Sequence, residues 1–349
     1  MRLIRILLRL VAATLILIVL ALAGFRAAAA LRETEMPEVA AGPEALFVEA
    51  GGLKLHYRTW GPETGPALVL VPGTMAWAET YRDIAGPLGD KGFRVISPDM
   101  PPFGYSSRPA DGDYSRAAQA RRLLAFADAL KLDRFALGVH SYGGGGAIEA
   151  AFLAPDRIEA LVLLDVALGG GWGLGRRERR DPPLAPIAGF RPLRDILIAA
   201  TFTNPLLIGK GLRDFIADDA LATPERIALY SRPLTMAGTT QAIGDWLITG
   251  LYGDERLSKA ADPGNYKALD APVLVIWGRE DTVTPLDQGE TIAASFARGR
   301  LEVLDGVNHI PHVERPQAVI DLGAAFLAQT SEPGTSPGKQ PRLRGTIGG

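Results

Sequence analysis

Phe135-Ala136-Leu137-Gly138-Val139-His140-Ser141-Tyr142-Gly143-Gly144-Gly145-Gly146 runs from an apolar stretch into a cluster of glycines, with one serine at the corner. A strand that turns sharply into a helix strains the backbone of its corner residue and leaves no room for bulk two positions to either side. Gly143 meets that demand. Val139 meets it imperfectly, because the glycine of such an elbow stands two before the nucleophile and here Gly138 stands three before it. Ser141 reads as the nucleophile of such an elbow. A phosphate-cradling loop is excluded, since it needs Lys and Ser/Thr directly after its second spaced glycine and only glycines follow Gly143. A dinucleotide fingerprint breaks at His140. The bland alternative is a helix N-terminus whose glycines serve tight packing.

Outward from this motif, further apolar runs occupy 67–71, 93–96, 161–164, 273–277 and 301–304, and 46–49 and 53–60 flank Gly51-Gly52 as a hairpin. Continuous apolar strands suit a parallel sheet covered on both faces. Helical segments intervene: Ser115 caps one that buries Leu123, Leu124, Ala127 and Leu130, and the helix after Ser141 stops before Pro155. The fold class is therefore α/β, a mostly parallel eight-stranded sheet with helices on both faces and two antiparallel strands at the front. The alternation lapses over 169–266, which reads as a helical cap inserted between core segments 45–168 and 267–330. The cap opens on Gly169-Gly170-Gly171-Trp172 and a basic run, Arg176-Arg177-Glu178-Arg179-Arg180. That run reads as a solvated loop in preference to a contact with acidic headgroups or substrate. Ile196, Leu197, Ile198, Phe202, Leu206, Leu207 and Ile208 form an apolar patch. Packing of cap on core explains most of it, an acyl pocket or membrane contact being the functional alternatives. Residues 331–349, rich in Pro, Gly and Ser, read as a disordered tail.

A chain of 349 residues has room for such a core, and 47% hydrophobic with 22% charged residues is ordinary for a globular protein. The net charge of −2 carries no footprint for nucleic acid. With no cysteine there is no disulfide, no thiolate metal site and no cysteine nucleophile. At the front, Arg2, Arg5 and Arg9 precede the uninterrupted apolar run 10–25. Residues 1–30 read as a membrane anchor in preference to a signal cleaved near Ala30 and secreted, because Ile6, Leu7 and Leu8 extend the run to the roughly 20 residues that cross a bilayer. The denser positive charge before the run puts the catalytic domain outside the cytoplasm. Residues 31–44 read as a linker.

A serine hydroxyl needs an imidazole within hydrogen-bond reach. His56 alternates within a strand and reads as structural, and His140 reads as packed beneath the turn. His309, in the loop after the last strand, is the base, with His312 as fallback. Asp281, after the strand ending at Trp277, is the acid that orients it. Glu280 points away, and Asp165, also at a carboxyl strand end, is the competitor. Backbone N–H groups of Thr74 and Tyr142 are expected to meet the oxyanion.

Val71-Pro72-Gly73-Thr74, Pro98-Asp99-Met100-Pro101-Pro102-Phe103-Gly104-Tyr105-Ser106, His140-Ser141-Tyr142-Gly143-Gly144, Gly278-Arg279-Glu280-Asp281 and Asn308-His309-Ile310-Pro311, in this order, resemble the α/β-hydrolase superfamily over 45–329. The resemblance implies nucleophile, acid and base at Ser141, Asp281 and His309, in a carboxylesterase or lipase-like serine branch with a helical lid. Two departures stand out: Pro72 where the family has His, and Val139 where it has Gly. A serine nucleophile argues against the branches that use aspartate there. The expectation is a serine esterase acting on a small or lipid-like apolar substrate through an acyl-enzyme, with no cofactor and no metal. Carbon–carbon bond hydrolysis, perhydrolysis and a noncatalytic ligand-binding homologue are the alternatives. Nothing in the sequence fixes an oligomeric state.

Overall fold

A computed structural model of the chain describes residues 2–168, 189–253 and 258–331. The readings of the 169–180 loop and of the tail beyond 331 fall outside the described residues. Eight strands form one sheet: β1 (Leu46–Ala50), β2 (Leu53–Trp60), β3 (Ala67–Val71), β4 (Arg94–Pro98), β5 (Phe135–His140), β6 (Ile158–Leu164), β7 (Val273–Gly278) and β8 (Gly299–Leu304). Their order is β1-β2-β4-β3-β5-β6-β7-β8. Pairs β1/β2 and β2/β4 are antiparallel and all others parallel. Strands β5 and β7 are buried at every residue, which is why they are unbroken apolar runs in place of alternating ones.

In chain order the helices are α1 (Arg2–Arg32), α2 (Pro37–Ala41), α3 (Arg82–Asp90), α4 (Arg116–Ala129), α5 (Gly143–Leu153), α6 (Arg191–Ala200), α7 (Pro205–Asp214), α8 (Pro224–Ser231), α9 (Thr239–Trp246), α10 (Leu286–Ser295), α11 (Pro311–Glu314) and α12 (Pro316–Ser331). Ser115 caps α4 by accepting from the Ala118 N–H. One face of the sheet is covered by α4, α5 and α10, packing Phe126, Ile148 and Ile292 against Leu137 and Val275. The other is covered by α3 and α12, packing Ile84, Leu88 and Val319 against Leu70 and Leu164. Between β6 and β7 the described residues hold helices and no strand. Of the apolar patch read in the cap, Ile198 is buried in a cluster with Phe103 and Trp246, whereas Phe202, Leu206 and Leu207 are exposed.

Helix α1 has an 18-residue window of mean hydropathy 2.8, none of it buried, and is long and apolar enough to cross a membrane. Its last turns behave differently. Leu22, Phe25 and Arg26 are half-buried and Ala29 is 1% exposed, a helical i, i+3, i+4, i+7 face that packs on α6 of the cap. Residues 31–44, expected as a linker, are bound to the cap. Arg32 donates to the carbonyls of Thr203 and Leu234, Glu33 accepts from the Thr240 N–H, and Glu35 exchanges backbone hydrogen bonds with Thr235 and Ala237. The Pro and small residues that suggested a linker instead open α2, whose Pro37 sits in the first turn where a missing N–H costs nothing.

Candidate active site

Strand β5 delivers Ser141 to the carboxyl edge of the sheet. Its backbone lies in the left-handed region, φ 48°, and is held there because its N–H donates to Leu164 and its carbonyl accepts from Ala167 and Gly144. A side chain at Gly143 would lie 2.6 Å from the Pro72 carbonyl, so the elbow tolerates only glycine there. Val139 is accommodated: it is fully buried in the core cluster that also holds Ala147, Ala150 and Ala151 of α5. Gly138 has a separate reason, since a Cβ there would come within 2.5 Å of Leu70 Cδ2.

The loops after β7 and β8 bring the acid and the imidazole to the serine. Ser141 Oγ lies 2.8 Å from His309 Nε2, and His309 Nδ1 lies 2.8 Å from Asp281 Oδ2. Ionised Asp281 only accepts, so Nδ1 carries the proton and the free lone pair of Nε2 receives the serine hydroxyl. All three side chains are buried. Oδ1 of Asp281 accepts from the Val283 and Thr284 N–H groups and Oδ2 also accepts from Thr284 Oγ1 at 2.6 Å. Burial alone would raise the Asp281 pKa; the hydrogen bond and charge of His309, with the contacts of Asp165 and Thr284, outweigh it and hold Asp281 below the ordinary carboxylate value.

The other candidates are sorted by position. His312 packs its ring 4.7 Å from those of Tyr81 and His140, and burial first, then His140, push its pKa well down. It is a neutral packing group. His140 Nε2 donates to the His309 carbonyl at 2.8 Å, and burial followed by the charge of His309 lowers its pKa to about 3. His56 pairs with Asp99 inside the sheet edge. Glu280 accepts from the Val307 N–H and so braces the histidine loop. Asp165 does not reach His309 as hydrogen-bond partner; its Oδ1 accepts from the Gly278 N–H, and its carboxyl faces Asp281.

On the oxyanion side, Gly73 passes so close that a Cβ would meet His140 Nδ1 at 2.8 Å and Ser141 Cβ at 2.9 Å. The Thr74 N–H finds no acceptor among the described residues, and Met75 beside it is held at φ 58°. Tyr142 stands at the N-terminus of α5, the end at which a helix directs its first N–H groups outward. Its ring meets Trp246 of α9 edge-on at 5.2 Å, and its hydroxyl donates to the Tyr114 carbonyl. A narrow pocket of about 20 Å³ adjoins it, lined by Val71, Met100, Phe103, Leu123 and Ala147 with Arg116 and Gln119.

Three residues that sequence reasoning missed complete the frame. Thr284 supports Asp281, and the Asp-x-x-Thr spacing is the signal of an Asx-type turn. Glu314 accepts from the Asn308, Ile310 and Ala217 N–H groups, binding the histidine loop to the cap, and Asn308 Oδ1 accepts from the Thr282 N–H. Their ties to the cap and to the Asp281 loop had no local sequence signal, because Ala217 and Thr282 are distant in the chain. Among the described residues, Asp165, Asp281 and His309 gather ligating atoms within 4.8 Å of one another. Both Asp281 oxygens and His309 Nδ1 are already engaged, so the donor set suits a proton better than a cation.

The sequence profile described as the alpha/beta hydrolase fold matches residues 66–316. The chain belongs to the α/β-hydrolase family. Among its relatives, 2-hydroxymuconate semialdehyde hydrolase of Pseudomonas sp. (strain CF600) is 31% identical over 258 residues, covering 74% of this chain and 84% of that protein. The solved α/β-hydrolase structures similar to it include a meta-cleavage product hydrolase of Pseudomonas fluorescens IP01, with TM-score 0.66, 24% identity and coverage of 83% and 99%. They also include a membrane phospholipase A described as a bacterial virulence factor, with TM-score 0.64, 24% identity and coverage of 93% and 96%. The chain is a hydrolase of this fold.

Proposed function

We propose that this α/β-hydrolase cleaves a carboxylic ester of an apolar, lipid-like substrate by covalent catalysis at Ser141. The observation that carries the reading is the 2.8 Å approach of Ser141 Oγ to His309 Nε2 on a backbone strained to φ 48°. Ser141 Oγ attacks the ester carbonyl carbon and its proton passes to Nε2; the imidazolium, steadied by Asp281, returns that proton to the departing alcohol. Water then gives a proton to His309 as its oxygen attacks the acyl carbon, and release of the acid restores Ser141. Thr74 and Tyr142 N–H groups stabilise the oxyanion in both steps.

The apolar cleft beside Tyr142 and the apolar helix α1 favour a lipid-like ester. The burial of Ala29 against the cap favours an anchor that stays on the protein over one removed near Ala30. The catalytic domain then faces away from the cytoplasm. Carbon–carbon bond hydrolysis of a diketone is the second reading, favoured by the 31% identity to 2-hydroxymuconate semialdehyde hydrolase. Turnover of p-nitrophenyl esters of graded acyl length, measured beside a vinylogous 1,5-diketone, separates the two. Ser141→Ala is expected to abolish ester turnover and fluorophosphonate labelling; unchanged turnover refutes the mechanism, and a preference for the diketone transfers it to the second reading.

A further inference from the structure

Asp165 closes β6 directly behind the pair His309–Asp281, is fully buried, and is held at φ 41°. Asp and Asn are among the few L-residues that occupy that region readily. The Asp165 N–H donates to the Ile276 carbonyl and its Oδ1 accepts from Gly278 at 2.9 Å. Oδ2 finds no N–H or O–H donor among the described residues. A carboxyl oxygen of Asp165 lies within 4.8 Å of one on Asp281, which already accepts from Val283, Thr284 and His309. Two carboxylates this close in a dry site do not both ionise. The better-solvated charge belongs to Asp281, with its donors; Asp165 has one backbone N–H.

We propose that Asp165 is a positioning residue: its Oδ2 carries a proton and donates it to Asp281, so that the two acids hold one negative charge behind His309, and Asp165 takes up that charge when Asp281 is neutralised. The inference rests on the reading of Ser141, His309 and Asp281 as the catalytic set. It accounts for the unpartnered oxygen and for the direction of both titrations. Burial first, then the hydrogen bond and charge of Asp281, raise the Asp165 pKa well above the ordinary value, and the same contact helps lower that of Asp281. The charged or titratable groups bearing on Asp165 are Asp281 and Glu314, with His309 beyond Asp281.

Asparagine tests this without disturbing the fold, because it tolerates the same φ, keeps an acceptor for Gly278 and offers an N–H to Asp281. With the full chain in detergent and an aryl ester, Asp165→Asn is expected to lower kcat less than about threefold at neutral pH, with KM unchanged. Asp281→Asn is expected to lose about 10–100-fold, and the double variant about 10⁴-fold, the loss typical of a triad without its acid. A double variant no slower than Asp281→Asn overturns the proposal. The second measurement needs no activity: infrared spectra of the wild type at neutral pH should contain a protonated-carboxyl band that Asp165→Asn removes, and its absence overturns the proposal as well. If the catalytic reading itself were wrong, the wild type would escape fluorophosphonate labelling while the infrared band still reported the shared proton.

Discussion

Two buried imidazole–carboxylate pairs lie in this molecule with the same 2.8 Å contact through Nδ1, His309–Asp281 and His56–Asp99. Their side chains are equally hidden, 2% and 0% exposed in the first and 3% and 0% in the second. His56 projects from the middle of β2 into a ring of aromatics, with Phe47 at 5.3 Å and Tyr105 at 5.4 Å. Asp99 also accepts from the Ala78 and Tyr105 N–H groups, each at 2.7 Å, so the pair staples the loops after β3 and β4 together. His309 stands on a loop beyond β8, and its far nitrogen meets a serine. The pair by itself therefore does not define a role. On the proposed mechanism, what Nε2 faces decides whether it holds the structure or moves a proton.

That contrast is most exposed by deleting the imidazoles. His309→Ala should lower kcat/KM by about 10⁴-fold or more while the melting temperature changes little. His56→Ala should do the reverse, because it empties the space the ring fills between Phe47 and Tyr105 and unties the loops after β3 and β4, a loss of about 3–5 kcal/mol of stability read from urea unfolding. Loss of fluorophosphonate labelling in a fully stable His56→Ala protein would break the comparison. Next in size is Gly73→Ala, whose methyl would press on both His140 and Ser141. It should reduce kcat by about 100-fold with little change in KM, a positional effect.

The smallest effect is read in acid, at His140, which packs against the first pair through His309. Burial, then His309, depresses the His140 pKa from 6.5 to about 3, so the unfolded chain takes up a proton that the folded one refuses. Stability is therefore complete above 6.5 and falls as the pH drops toward 3, by up to about 1.4 kcal/mol per unit. Asp281, also depressed, adds its own loss only as the pH falls through the ordinary carboxylate range and below. Urea midpoints at pH 7 and pH 5 should converge in His140→Gln, whose amide can still donate to the His309 carbonyl. An unchanged slope would mean that the acid sensitivity arises elsewhere.

The strands and the three catalytic candidates were legible because each depends on short-range pattern: unbroken apolar runs for buried strands, and a polar residue just past a strand end for the site. Asp165 and Asp281 both satisfied that rule. Sequence could rank them but could not show that they touch, since the contact follows from β6 and β7 being neighbours. The tie of Glu314 to the cap was invisible for the same reason, Ala217 lying 97 residues away. Residues 31–44 misled because Pro and small residues mark a linker and a helix start alike. Val139 looked like a flaw because its full burial in the core beneath α5 depends on residues distant in the chain.

The clasp between the start of the chain and the cap also dictates an order of assembly. Glu33 meets Thr240 across 207 residues. At typical synthesis speeds, roughly 10–40 s separate the two on the ribosome. During that interval β1 to β6 emerge, while the apolar helix has already left the ribosome and has no cap to lean on. Its last turns are therefore joined to the rest of the protein late, as a closing step that follows the making of most of the sheet.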